Sequence, residues 1–506
     1  MSPFFLPILL GLLCSLLLYH RRRIAVACPK DGRKLPPGPT PLPIIGNLQM
    51  LGRLPHQALQ SLAQKYGPIM SLRLGSVQTV ILSSPETAEL ILKTHDSACA
   101  SRPKIQAFEY LSYGSKGLAF SAYSPYWRAM RKLCVVELLG PAKIQGFAGL
   151  RREEVVAMVR WLRRAAAARE VVNLSLKVAE VIEDLTCRMV FGRRKDERID
   201  LKKVVEEAVE LAGMFNIADF VPFLGPIDLQ GITRRLKSTS QTLDKILQII
   251  ITEHEQEQDS GKSKDDRDFL DVLLSLKSIK HGEQSISIDQ TNIKAMAVDM
   301  IVGAFDTSSV AIDWIMTELI RHPRVMKKLK EELKNVVGDD RMVEEEDLAQ
   351  LNYLDMVIKE TMRLHPVAPL LGPRESTEDI FLDQYFIPSK SRIIVNAWAI
   401  GRDPRVWSDN VHEFLPERFV GSDIDLKGQH FQLTPFGSGR RGCPGMQLGL
   451  TTVRLVAAQL VHCFDWELPD DMSPSDLDMS EKFGLSLPRA KPLLAIPTWR
   501  LIATDV

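Results

Sequence analysis

The amino-acid sequence predicts a mainly α-helical protein with small β-sheets, carried behind a single-pass N-terminal membrane anchor. Three observations lead there. Apolar residues recur at helical spacing along most of the chain, and the longest such run, 293–320, carries so few charges that its helix must be largely buried. Strand-like pieces are short and sit near the start, at 69–74 and 79–82. The chain opens with an apolar segment, 4–19, followed at once by His20, Arg21, Arg22 and Arg23. At 506 residues and 45% hydrophobic composition, the chain is long enough to bury a large core. A formal charge of +1 gives no general affinity for nucleic acid.

Residues 1–20 read as an uncleaved signal anchor. About twenty apolar residues span a bilayer, and a slightly shorter run suits the thinner endoplasmic reticulum membrane. The arginines follow the apolar run, whereas a cleaved signal peptide has its positive charges first. The expected topology therefore puts the N-terminus in the lumen and the rest of the chain in the cytosol. Residues 21–39 form a basic, proline-rich hinge, in which Pro36, Pro37 and Pro39 fix φ and remove backbone donors. Residues 40–506 are expected to be one catalytic domain. No repeat divides it, and its one polar interruption, 254–268, reads as a solvated loop between helices.

The seven cysteines, Cys14, Cys28, Cys99, Cys134, Cys187, Cys443 and Cys463, are odd in number and scattered, with no C-x-x-C pair. That spacing argues against a disulfide framework and a zinc site, and for a reducing compartment. One cysteine stands apart. The stretch PFGSGRRGCPG at 435–445 contains Gly437, Gly439 and Gly442 in the G-x-G-x-x-G spacing of a dinucleotide-binding turn. The context for that reading is missing, because residues 427–434 are too polar for a central parallel strand. Val461, His462 and Cys463 also occupy the region where a ribose-binding carboxylate belongs. The weight falls instead on Cys443, between a glycine-rich loop and a helix predicted over 446–464. Backbone N–H groups at a helix N-terminus stabilise a thiolate and suit it to ligate a metal. Gly442 and Gly445 leave room for a flat cofactor, and Arg441 is placed to reach an anionic edge of it.

Phe436, Gly439, Arg441, Cys443 and Gly445 together resemble the haem-binding signature of the cytochrome P-450 family, the haem-thiolate monooxygenases. The resemblance implies the cytochrome P-450 fold, haem b as cofactor and Cys443 as axial iron ligand, with Phe436, Arg441 and Gly445 around the haem. A thiolate ligand pushes electron density to the iron and favours O–O cleavage. Further motifs match in the family's order. Gly303, Ala304, Asp306 and Thr307 on the central helix resemble its oxygen-activating element, although the family more often has glycine second. Asp306 and Thr307 are then the catalytic acid–alcohol pair, while Asp299 and Asp313, on another face, are expected to be paired with neighbours. Glu360 and Arg363 resemble the family's Glu-x-x-Arg pair, joined by Arg418 as a structural lock. Glu318 and Arg321 share that spacing and read as an ordinary surface pair. Trp127 and Arg131 resemble the element that holds a haem propionate.

These matches, with phrases such as 396–404, are similar to plant microsomal members. The resemblance implies an electron donor outside the chain, an NADPH–cytochrome P-450 reductase, with a cytochrome b-type protein as a second donor. Lys132 and Arg440 are candidate docking residues. The other expected partners are membrane lipid and a small lipophilic substrate. The pocket residues implied by the family are Leu118, Phe305, Val367, Leu370, Leu371 and Leu485, with Ala368 beside them. All are apolar, which points to a neutral terpenoid or a simple phenolic. Two alternatives stay open at this point: a haem-thiolate isomerase or dehydratase, and a non-catalytic haem-binding sensor.

Overall fold

The computed structural model describes residues 32–194, 201–257, 267–277, 288–382, 384–408 and 410–502. The expected anchor at 1–20 and most of the hinge lie outside the described residues.

Helices dominate, as the periodicity predicts, and they pack around Gln290–Arg321. This 32-residue helix starts with a capping box, in which Asp289 accepts from Asn292 N at 2.8 Å and the Asn292 side chain accepts from Asp289 N at 2.9 Å. It ends at His322, before Pro323 opens the next helix, because the residue preceding a proline is pushed out of helical conformation. Its length and hydropathy would allow it to cross a membrane, yet Ile312, Trp314, Ile315, Met316 and Leu319 are buried inside the protein. It packs against helices Leu174–Phe191, Met446–Cys463 and Asn352–Leu364. The last of these is cut short at His365, and Met446–Cys463 runs directly into the strand Phe464–Glu467.

The two strand-like pieces pair antiparallel as a hairpin, Ile69–Leu74 with Val77–Leu82. Val77–Leu82 then pairs in parallel with Arg392–Val395, register Thr79 to Arg392, and the short strand Arg374–Glu375 closes the four-stranded sheet. A second sheet joins Val172–Asn173, Leu494–Trp499 and Phe464–Glu467. A main core cluster around the central helix and a smaller one under the first sheet leave a hollow beside the central helix.

Two sequence expectations need correction. The stretch read as a solvated loop begins inside the helix Ile232–Glu257. Both its ends are buried, with His254 Nε2 donating to Asp268 Oδ2 at 3.1 Å, while residues 258–266 lie outside the described residues. Glu318 is not a surface residue either. It is buried, its Oε1 accepts from His365 Nε2 at 2.6 Å, and its Oε2 lies 3.1 Å from His322 Nδ1, which bonds the Glu318 main-chain O at 2.9 Å. Spacing alone cannot tell a helix face turned to solvent from one covered by another segment.

Candidate active site

The loop carrying Cys443 is shaped by its glycines. Gly437 and Gly439 both have φ of +67°, the left-handed region that glycine enters without steric cost. At Gly439 a β-carbon would also lie 2.5 Å from Leu92 O and 2.6 Å from Asp96 Oδ1. These glycines therefore serve the turn and its packing. Cys443 N closes the loop by donating to Phe436 O at 2.8 Å, and Gly445 caps the helix Met446–Cys463.

Cys443 lies on the wall of a cavity of about 390 Å³. Gly303, Ala304, Thr307 and Ser308 of the central helix share that wall, a small-residue face with two hydroxyls. Thr307 Oγ1 donates back to Gly303 O at 2.8 Å, so the alcohol is held by its own helix. Apart from the adjoining backbone, no heavy atom lies within 4 Å of the point where a β-carbon of Gly303 or of Gly445 would sit. Both positions offer the kind of flat, open backbone on which a planar macrocycle can lie.

Four guanidinium groups, from Arg102, Arg131, Arg374 and Arg441, line the same cavity. Trp127 and Arg131 lie four residues apart on the helix Pro125–Leu133, whose N-cap Ser124 accepts from Trp127 N. Arg131 Nη2 reaches across to Gly442 O at 2.7 Å. Arg441 lies 4.1 Å from the Trp127 ring centroid and donates to Ala100 O at 2.6 Å, Leu118 O at 3.2 Å and Ser121 O. Arg374 donates to Asp96 Oδ1 and to Ser438 O, both at 2.6 Å. Arg102 is held by the carbonyls of Ala119, Gly372 and Pro373. Burial and then the neighbouring Arg374 and Arg131 pull Arg441 down to about 9. Asp96 is the carboxylate that pairs with this group, so positive charge is in surplus. A cofactor with an anionic edge, a flat apolar body and an iron to accept a sulfur fits this set of donors.

The expectation that helix position lowers the Cys443 pKa is corrected. The Cys443 sulfur opens onto the cavity, yet desolvation by the surrounding protein pushes the thiol up, and the Gly445 N–H and Arg131 offset this only in part. The helix begins at Met446, so its N-terminal field gives less than burial takes. A bound iron would supply the drive to deprotonate Cys443, since a metal-bound thiol is deprotonated outright.

Asp306 is not on the cavity wall. Its carboxyl turns toward the segment 482–487, where Ser486 Oγ donates to Oδ2. Asp299 is on the wall and accepts from Leu118 N and, at 3.1 Å, from Ala119 N; burial raises its carboxyl to about 6. The wall therefore contains an ionisable group that the sequence reading left out of the pocket. Asp313 accepts from Ser175 Oγ at 2.5 Å.

Of the apolar pocket residues, Leu118, Val367 and Leu371 line the cavity, and so does Phe436. Phe305, Leu370 and Leu485 do not. Phe305 is two helix positions past Gly303, roughly 200° around the axis, and packs against the main core. Leu371 takes a left-handed φ of +48°, which turns its side chain inward; Leu370 packs beside Phe220 and the hairpin instead. The backbone of Leu485 is packed against Gly213.

Behind the cavity, Arg363 donates through Nε and Nη2 to the two oxygens of Glu360, each at 2.8 Å, with both side chains fully buried. Arg418 Nε adds a third bond to Glu360 at 2.8 Å.

A thiol facing a small-residue helix across an arginine-edged apolar cavity defines a haem-thiolate site. A cytochrome P450 family profile matches residues 36–495. The chain is 62% identical over 475 residues to cytochrome P450 CYP736A12 of Panax ginseng, covering 93% of this chain and 95% of that one. It is 42% identical over 512 residues to flavonoid 3'-monooxygenase CYP75B137 of Crocosmia x crocosmiiflora, covering 98% of each. Among solved structures, a zebra fish cytochrome P450 with progesterone superposes with a TM-score of 0.76 at 26% identity, over 88% of this chain and 99% of that one. The chain belongs to the cytochrome P450 family of haem-thiolate monooxygenases, which bind haem b and take electrons from NADPH through a reductase.

Proposed function

We propose that this protein is an endoplasmic reticulum monooxygenase, dependent on an NADPH–cytochrome P-450 reductase, that hydroxylates a neutral lipophilic plant metabolite. The substrate is a terpenoid, such as a sesquiterpene, or a simple phenolic. The observation that carries the reading is the cavity itself, mostly apolar, with Cys443 and Thr307 on its wall. Such a wall selects by shape and desolvation rather than by charge. The Asp299 carboxyl, which burial brings toward neutrality, offers a hydrogen bond to a hydroxyl. The name of the 42% identical flavonoid 3'-monooxygenase supports the phenolic arm.

Bound haem supplies an iron that activates dioxygen. Cys443 is its ligand, and Trp127, Arg131 and Arg441 hold its acidic edge, joined by Arg102 and Arg374. With haem bound, Thr307 on the cavity wall would order a proton donor, and Asp306 would feed it. Lys132 and Arg440 are exposed, as a docking surface for an acidic reductase requires.

Thr307→Ala is expected to keep haem and to give the same substrate-binding spectra with a panel of terpenes and phenols. Its ratio of product to NADPH oxidised should fall at least about tenfold, with hydrogen peroxide rising in step, because a positioned proton donor contributes on the order of 10²–10⁴ in rate. Thr307→Ser, which keeps the hydroxyl, should be milder. Wild-type coupling in the alanine variant would remove Thr307 from the relay. A wild-type protein that consumes no oxygen with reductase and any of these ligands would point to isomerase or sensor chemistry.

Membrane attachment rests on residues 1–20, helped by an exposed apolar face. Phe215, Phe223, Ile227 and Leu229 are all exposed. Ser76 N donates to Phe220 O at 2.7 Å and Gly75 N to Ile45 O at 3.0 Å, which sets this face beside exposed Leu42 and Ile45, near the N-terminal end of the domain. Deleting residues 1–23 is expected to move much of the protein out of the microsomal membrane fraction with haem retained. A truncated protein that stays wholly in the membrane pellet would overturn the anchor.

A further inference from the structure

Asp306 directly precedes Thr307 on the central helix, yet it is absent from the cavity wall and its carboxyl turns into the seam between that helix and the segment 482–487. Ser486 is buried and donates its hydroxyl to Asp306 Oδ2. The segment is pinned closely around that contact. Trp314 Nε1, two turns along the same helix, donates to Leu487 O at 2.9 Å, and Leu487 N donates to Val367 O, also at 2.9 Å, on the cavity wall. Further back, Glu481 accepts from Trp398 Nε1 at 3.0 Å and from His56 Nε2 at 2.8 Å. Ser486 is therefore fixed relative to the helix, and a rigidly held hydroxyl restrains a carboxyl that would otherwise choose among rotamers.

We propose that Ser486 is a positioning residue for the proton relay, orienting the Asp306 carboxyl and tying it to the same backbone segment that, through Leu487 and Val367, borders the substrate cavity. The inference rests on the relay role given above to Asp306 and Thr307. A substrate that presses on Val367 then acts on the seam in which the acid is held. The charged group acting on Asp306 is Lys482 of the same segment. Asp299 and Asp313 lie two turns away along the helix, the former bonded to Leu118 N and Ala119 N and the latter to Ser175, and Arg489 acts on Asp313. Burial raises the Asp306 pKa, and the Ser486 bond works against that rise. Losing the hydroxyl therefore moves the titration of Asp306 further up.

The test compares Ser486→Ala, Ser486→Thr and Asp306→Asn in the full-length protein with reductase. Product, NADPH oxidised and peroxide are measured across a pH series, together with the reduced carbon monoxide spectrum. Ser486→Ala is expected to lose coupling about tenfold, the scale seen when an outer partner of a functional group is removed. Its coupling profile should shift to higher pH, with the carbon monoxide spectrum and the substrate KM unchanged. Ser486→Thr should restore both ratio and profile, and Ser486→Ala added to Asp306→Asn should cost nothing more. Wild-type coupling and profile in Ser486→Ala, beside an uncoupled Asp306→Asn, would overturn the role of Ser486 alone. So would loss in both serine variants with no shift in the profile, because that is a packing effect. Wild-type coupling in Asp306→Asn would instead remove the relay reading on which the inference rests.

Discussion

Cys443→Ser is expected to abolish the thiolate-type spectrum of the reduced carbon monoxide complex and to lower product formation by more than about 100-fold. That exceeds the usual effect of losing an outer partner of a metal ligand. The reason is the site's own electrostatics. Desolvation by the surrounding protein already opposes ionisation of the Cys443 sulfur, and a serine hydroxyl there, intrinsically far less acidic, has no means of supplying comparable electron density to iron. The other described cysteines, Cys99, Cys134, Cys187 and Cys463, are buried, and none of them is on the cavity wall. A serine variant with an unchanged spectrum would therefore contradict the placement of the ligand loop as a whole.

Arg363→Ala should produce the largest loss of stability. The side chain is fully buried and, besides Glu360, it holds the carbonyls of Gly401 at 2.6 Å, Val411 at 2.8 Å and Glu413 at 3.1 Å. Removing one partner from a buried ion pair costs about 3–5 kcal/mol, because the remaining charge stays out of water. Glu360 would keep only Arg418 and the N–H of Leu415. Haem-loaded yield should collapse, and the half-life of the carbon monoxide signal at a fixed elevated temperature should shorten at least about tenfold. Arg363→Lys should rescue only in part, since an ammonium cannot reproduce the two-pronged contact. An alanine variant with the wild-type half-life would show that the fold does not depend on this lock.

Features written within one short stretch of chain were legible in the sequence. The central helix was read as 293–320 and observed as Gln290–Arg321, and the helix after the cysteine was read as 446–464 and observed as Met446–Cys463. The cysteine loop, the Glu360–Arg363 pair and the Trp127–Arg131 face were each found from fewer than a dozen residues. What escaped notice needs partners far apart in sequence. Arg374 reaches the cavity because its strand is carried there by pairing with Arg392–Val395, and nothing local marks it. The Ser486 contact spans 180 positions, and the burial of Glu318 depends on His365, 47 residues on. Leu371 stays on the cavity wall while Leu370 leaves it, and the left-handed backbone at 371 has no glycine to announce it.

The parallel pairing of Val77–Leu82 with Arg392–Val395 has a consequence for the order in which the protein is made. The paired residues lie about 310 positions apart. At about 5–20 residues per second of synthesis, the first hairpin waits roughly fifteen seconds to a minute for its partner strand to be translated. A two-stranded hairpin is marginal in water, and Val80, Ile81 and Leu82 are shielded completely only in the finished fold. During that interval they are an unpaired, sticky edge of nascent chain. Chains arrested before residue 392 cannot assemble the pocket in which Arg374 and Arg441 meet. A cavity that can hold haem is therefore complete only after Cys443 has been made.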